Sequence, residues 1–153
     1  MVITDLLERN ARLYKDEVAL VEVNPVEEYQ KTATWKEANL IELAEDGTPL
    51  RREITWREFD SKANRFANLL LSRGIQRETK VGILLMNCIE WLPIYFGILK
   101  AGCIAVPMNF RYSSDEIKYC ADLADVEVLV FGPEFIERID AVANDMPFIK
   151  IMF

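Results

Sequence analysis

Between Lys80 and Tyr112 the chain reads KVGILLMNCIEWLPIYFGILKAGCIAVPMNFRY, and this stretch limits the fold more than any other. Residues 80–86 are predicted as a buried strand, 88–101 as a wholly apolar helix and 103–108 as a second buried strand. A strand advances about 3.3 Å per residue and a helix about 1.5 Å, so this helix can return the chain across a sheet. The result is a βαβ unit whose second strand lies parallel to the first through a right-handed crossover.

The flanking segments extend that unit. Residues 4–15 are predicted helical, with Leu7, Ala11 and Tyr14 on one face and Thr4 or Asp5 as N-cap. EVALVEV (17–23) alternates and is valine-rich, as a strand does, and Asn24-Pro25 stops it. Residues 26–53 carry seven acids and four bases with little helical periodicity. Within them Asp46-Gly47 is a hairpin signal, so 24–53 is predicted to be a two-stranded antiparallel flap inserted at the edge, with Trp35 available to pin it. Thr55-Trp56-Arg57-Glu58 is a capping box that opens a helix at Trp56. Phe59, Ala63, Phe66, Ala67 and Leu70 follow at helical spacing, and Gly74 ends it.

Asn87-Cys88-Ile89-Glu90 offers a similar start for the central helix, which places Pro93 past its first turn and predicts a lost hydrogen bond or a kink. Ser113-Ser114-Asp115-Glu116 opens the next helix, with Ile117, Cys120, Ala121 and Ala124 on its buried face. EVLVF (127–131) is a short buried strand. Pro133 then begins a helix whose apolar side is Ile136, Ile139 and Ala143, and FIKIMF (148–153) is a last strand. From Thr55 onward the order is α-β-α-β-α-β-α-β. That alternation predicts an α/β fold, a mainly parallel sheet covered by helices, with a small antiparallel hairpin near the N-terminus.

Half of the 153 residues are apolar and 28% are charged, the composition of a globular domain. The net charge of −7 argues against nucleic acid as a partner, since phosphate backbones require a basic stripe. The most apolar run is broken by Pro93, Lys100 and Pro107, so no membrane span is predicted, and no secretory signal opens the chain. Cys88, Cys103 and Cys120 form no C-x-x-C pair and there is no histidine to complete a zinc set. Small buried thiols in a reducing, cytoplasmic setting are expected.

Neither G-x-G-x-x-G nor G-x-x-x-x-G-K-[ST] occurs, and without histidine no Ser-His-Asp or Cys-His arrangement can form. No catalytic or metal-binding residue is predicted within these residues. One position invites a ligand: Asn109-Phe110-Arg111-Tyr112 follows the carboxyl end of a parallel strand, where open α/β sheets bind theirs. Arg111, beside the helix amides of 113–116, suits a phosphate. Equally, Arg111 can pair with a nearby acid while Phe110 packs in the core.

The stretches ARLYKDEVALVE, ITWREFDSKANRFANLLLSRGI, KVGILLMNCIEWLPIYFGILKAGCIAVPMNFRYSSDEIKY and EVLVFGPEFIERI resemble the amino-terminal portion of an adenylate-forming acyl-CoA synthetase. That superfamily includes firefly luciferase and the adenylation domains of peptide synthetases. The run Leu99-Lys100-Ala101-Gly102 to Val106-Pro107, after Ile54-Thr55-Trp56, matches it in content and spacing. The resemblance implies a parent that uses ATP and Mg2+ to activate a small carboxylic acid, most simply a fatty acid, and passes the acyl group to coenzyme A. It also implies that residues 1–153 are an N-terminal subdomain of a longer protein, with 24–53 longer than many relatives carry.

The family's Ser/Thr/Gly-rich phosphate loop, its aspartate, its magnesium-binding glutamate and its carboxyl-terminal lysine have no counterpart here. No ATP site and no bound cofactor are therefore expected on these residues alone. The resemblance implies coenzyme A contacts at Arg111, Phe110 and Tyr112. It makes Lys100 and Gly102 structural, with Gly102 ending a helix and Lys100 reaching solvent. A non-catalytic module that binds CoA-like ligands or a protein partner is the alternative. Self-association through the last strand or the central helix is a further expectation.

Overall fold

Thr55 accepts a hydrogen bond from the Glu58 amide, and the Glu58 carboxylate accepts from the Thr55 amide at 2.8 Å. This reciprocal cap starts the longest helix of the computed structural model, which describes residues 2–23, 45–47 and 51–153. In chain order the elements are α1 (Ile3–Leu13), β1 (Val18–Val23), β2 (Arg51–Thr55), α2 (Trp56–Ser72), β3 (Lys80–Leu84), α3 (Trp91–Lys100) and β4 (Ile104–Pro107). There follow α4 (Ser114–Leu123), β5 (Val128–Phe131), a 3-10 turn (Pro133–Phe135), α5 (Ile136–Asp140), a second 3-10 turn (Ala143–Asp145) and β6 (Ile151–Met152).

β3, β4, β5 and β6 form one parallel sheet in the order β4-β3-β5-β6. The chain steps from β3 outward to β4, then back across to β5. Right-handed crossovers in opposite directions put their helices on opposite faces. Accordingly Val81, Ile83, Val128 and Val130 point to one face, against Ala67, Leu70 and Ile98 of α2 and α3. Leu84 and Leu129 point to the other, against Ile117 and Ala121 of α4 and against Phe135, Ile139, Val142 and Met146. Each such aliphatic side chain removed from water contributes roughly 1.5–3 kcal/mol. Because both faces are covered, the strands read as continuous apolar runs and not as alternating ones.

β1 and β2 pair antiparallel, with Val18 opposite Thr55 and Val23 opposite Arg51. They make the small antiparallel element near the N-terminus. Gly47 has φ +80°, as the Asp46-Gly47 turn requires. Of the predicted 24–53 flap, residues 24–44, which include Trp35, and 48–50 lie outside the described residues.

Four local expectations are corrected. α1 begins after Val2, whose N–H donates to the Asp5 carboxylate at 3.0 Å, so neither Thr4 nor Asp5 is the N-cap; only Leu7 of its expected face is buried, and Tyr14 is exposed. α3 begins at Trp91 and not at Cys88, and its N-cap, Glu90, makes no side-chain cap hydrogen bond. That moves Pro93 into the first turn, where an amide has no helical partner anyway, so the expected loss does not arise. After Gly132 the chain makes a 3-10 turn before α5, which shifts the apolar phase to Phe135, Ile139 and Val142 and leaves Ile136 facing solvent. The strands are also shorter than predicted, β3 ending at Leu84 and β6 spanning two residues.

α2 and α3 cross closely because residue 97 is glycine. A Cβ there would lie 2.8 Å from the Ala63 carbonyl oxygen and 2.9 Å from Phe66 Cβ. At the far end of α3, Gly102 takes φ +76°, which ends the helix as expected.

Candidate functional site

The carboxyl ends of the parallel strands carry three loops, after β3, β4 and β5, on the edge where ligands of such sheets bind. Since β4 and β5 flank β3, the crossovers diverge between β3 and β5. There the loops touch: the Met86 amide donates to Glu134 Oε1 at 3.4 Å.

The turn after β4 holds the three residues singled out in the sequence. Phe110 and Tyr112 are half-buried and pack against the core beneath α4 and α5. Arg111 is exposed, and its guanidinium carbon stands 5.4 Å from the centre of the Phe110 ring. This is a cation–π arrangement in which the planar fork rests on an anchored aromatic. The turn closes through the Tyr112 amide, which donates to the Asn109 carbonyl at 3.0 Å. The Arg111 amide donates to Asn109 Oδ1 at 2.9 Å. A hydrogen bond with the Cys120 side chain, followed by the charge there, holds the Tyr112 phenol above its usual range.

Helix amides contribute less at this corner than the sequence suggests. The Ser113 amide donates to Glu116 Oε2 at 2.8 Å, and the Glu116 amide donates to Ser113 Oγ at 3.4 Å. The Ser113 amide first, and then the Ser113 hydroxyl donating to Glu116 Oε2 at 2.9 Å, hold the Glu116 carboxyl below its usual range, so it stays charged at neutral pH. Asp115 adds a second carboxylate in the same turn. An anion bound here relies on Arg111 more than on the helix end.

A residue that sequence reasoning missed completes the turn. Arg138 Nη1 donates to the Phe110 carbonyl at 2.9 Å and to the Tyr112 carbonyl at 3.1 Å. Its guanidinium carbon also lies 5.5 Å from the centre of the buried Phe135 ring. Nothing local marks it, because its partners are 28 and 26 positions away.

Lys100 is the other departure. Its side chain is 8% exposed, not in solvent, and Nζ donates to Asp60 Oδ1 and Asn64 Oδ1, each at 2.8 Å, and to Glu8 Oε1 at 3.0 Å. This ammonium joins α1, α2 and α3. Arg52 makes a related link: its Nη2 meets Glu90 at 2.6 Å and its Nη1 meets Glu22 at 3.4 Å, tying β1 and β2 to the loop before α3. Burial pushes the Glu90 carboxyl up, but the hydrogen bond from Arg52, a backbone hydrogen bond and the nearby Arg52 and Lys62 charges together outweigh it and hold the carboxyl below its usual range.

An open cleft of about 310 Å³ lies at the opposite, amino end of the sheet, between Gln76, Glu78, Glu127 and Lys150. Among the described residues no group of three His, Cys, Asp or Glu side chains could hold a metal ion. No helix among them is long and apolar enough to cross a membrane.

The parallel sheet with helices on both faces is an open α/β unit, with its loops gathered at the carboxyl ends, the edge where ligands of such sheets bind. The chain belongs to the family described as AMP-binding enzyme, whose model matches residues 7–151. It is 36% identical over 120 residues to a medium/long-chain-fatty-acid–CoA/3-oxocholest-4-en-26-oate–CoA ligase of Mycobacterium tuberculosis, covering 74% of this chain and 22% of that protein. It is 30% identical over 103 residues to the human mitochondrial acyl-coenzyme A synthetase ACSM2B, covering 65% of this chain and 18% of that protein.

Among solved structures, the anthranilate CoA ligase AuaEII in complex with anthranoyl-AMP superposes with a TM-score of 0.74 at 26% identity, covering 97% of this chain and 24% of that one. The long-chain-fatty-acid-CoA ligase FadD1 of Archaeoglobus fulgidus shares the fold, with a TM-score of 0.77 at 16% identity, covering 98% of this chain and 26% of that one. The chain spans about a fifth of the length of the curated relatives it matches.

Proposed function

We propose that these residues are the amino-terminal part of an acyl-CoA synthetase, an acid–thiol ligase. In the whole protein a carboxylate attacks the α-phosphorus of ATP, releasing pyrophosphate and forming an acyl adenylate. The thiol of coenzyme A then attacks the acyl carbon and releases AMP. The family match across residues 7–151 is the observation that carries this reading, with ligases among the relatives on both sequence and structure. A fatty or related carboxylic acid is the substrate class, ATP and Mg2+ take part in the first step, and the protein works in the cytoplasm.

Within this part, Arg111 meets the phosphates of the coenzyme A nucleotide, with Phe110 and Tyr112 shaping the turn. Its support is the position at the carboxyl end of β4 and the exposed guanidinium resting on Phe110. The remaining residues, with 24–53 inserted in them, are scaffold. The 153 residues alone bind no ATP triphosphate and release no pyrophosphate. Incubation of the purified chain with ATP, Mg2+ and a panel of fatty acids is expected to yield none, and measurable release overturns that statement.

The isolated chain also self-associates through β6 or α3. In support, β6 stands at the sheet edge, with Met152 exposed, and Leu92 of α3 faces solvent. Sedimentation is expected to show a mass that rises with concentration, and a monomer at every concentration contradicts it.

A further inference from the structure

The two carbonyl groups that flank Arg111 accept hydrogen bonds from one nitrogen of one side chain, Arg138 Nη1, at 2.9 and 3.1 Å. We propose that Arg138 is the positioning residue of the Asn109–Tyr112 turn, and that it holds Arg111 ready for an anionic ligand. The proposal rests on the reading of this turn as a coenzyme A contact.

Four observations converge on the role. The turn leaves an edge strand, β4, so it lacks the support that a central strand's neighbours give. Within the turn the Arg111 and Tyr112 amides bond locally, both to Asn109, while the Tyr112 phenol reaches the Cys120 side chain of α4. Arg138 ties the turn's backbone to another element: it spans from α5 to the Phe110 and Tyr112 carbonyls, and its own guanidinium lies over the buried Phe135 ring. The carbonyls it fixes bracket residue 111, so they set the direction in which the Arg111 side chain leaves the backbone, toward the Phe110 face where the structure shows it.

A cationic donor makes these bonds stronger than neutral ones, and pointing two carbonyl dipoles at Arg138 turns their negative ends away from an incoming phosphate. Holding a binding group in its bound attitude before the ligand arrives raises affinity by removing an ordering cost. A surface arginine that merely decorated α5 would leave the turn unchanged when removed.

Amide hydrogen exchange by NMR on the whole 153-residue chain tests this directly. Arg138→Met keeps most of the stem and removes the donors, while Arg138→Lys keeps a charged donor. Exchange at the Arg111 and Tyr112 amides is expected to quicken roughly tenfold in R138M and by a smaller factor in R138K. Amides of β3 are expected to be unchanged, which also shows that both variants fold. Coenzyme A affinity, read by calorimetry, is expected to fall about fivefold in R138M and to be largely restored in R138K. Unchanged exchange at Arg111 and Tyr112 in R138M overturns the positioning role. If the unmodified chain binds no coenzyme A, the ligand reading fails, and the exchange data still decide what Arg138 does.

Discussion

Replacing Lys100 by methionine keeps an apolar stem in the α1–α2–α3 junction and removes its ammonium. Asp60, whose side chain is 19% exposed, then loses a partner at 2.8 Å, and Asn64 loses the donor on its carbonyl. Breaking a buried pair by removing one member costs about 3–5 kcal/mol, because the remaining charge stays desolvated. Asp60 keeps a hydrogen bond from Asn64 Nδ2 at 3.0 Å and some water, which places the loss near the lower limit, about 3 kcal/mol. Glu8 is half-exposed, and its share is at most about 1 kcal/mol. With a urea dependence of about 2 kcal/mol per molar, the midpoint of unfolding falls by about 1.5 M.

The double variant Lys100→Met/Asp60→Leu removes both charges and is expected to recover about 2 kcal/mol of that loss. Lys150→Met, at an exposed pair with Glu127, serves as the control and is expected to shift the midpoint by less than about 0.3 M. A Lys100→Met midpoint within about 0.3 M of the parent, or a double variant no better than the single, refutes the argument that this ammonium is a buried tie.

Gly97→Ala places a methyl carbon against the Ala63 carbonyl and forces α2 and α3 apart, an overpacking cost of about 2 kcal/mol. In a domain of this size the thermal midpoint is expected to fall by about 4–8 °C, and an unchanged midpoint contradicts the close crossing. The carboxyls of Glu58 and Glu116 are both held below their usual range, first by backbone amides of Thr55 and Ser113. A depressed folded-state pKa adds stability above the unfolded value of about 4.3, and the gain disappears as pH falls through the folded value. Urea midpoints measured from pH 6 to 3 are therefore expected to fall on the acid side. The fall should be shallower in Glu58→Gln/Glu116→Gln, and an equal slope in that variant counts against the caps as its source.

What the sequence disclosed follows from distance along the chain. Thr55–Glu58 and Ser113–Glu116 were legible because each box closes within four consecutive residues. The parallel sheet was legible because burial on both faces leaves an unmistakable apolar run in β3 and β5. Asn87-Cys88-Ile89-Glu90 imitates a box, but the helix starts after it, and Pro93 fits the first turn that results. Ile136 misled because a 3-10 turn of three residues changes the helical phase.

The buried Lys100 and the Arg138 clamp left no local mark. Lys100 reads as a solvated helix end until folding brings Asp60 and Glu8 to it from 40 and 92 positions away. Of the candidate site, the turn and its arginine were visible in the sequence. The brace behind them was not, because a backbone carbonyl carries no sequence identity for a distant arginine to match.

The most direct test of the account is a calorimetric titration of the 153-residue chain with coenzyme A, run beside Arg111→Ala. The account predicts saturable binding by the parent chain that the variant loses, because the proposed phosphate contact is the Arg111 guanidinium. Equal binding by both proteins, or none by either, contradicts the assignment of the coenzyme A contact to this turn.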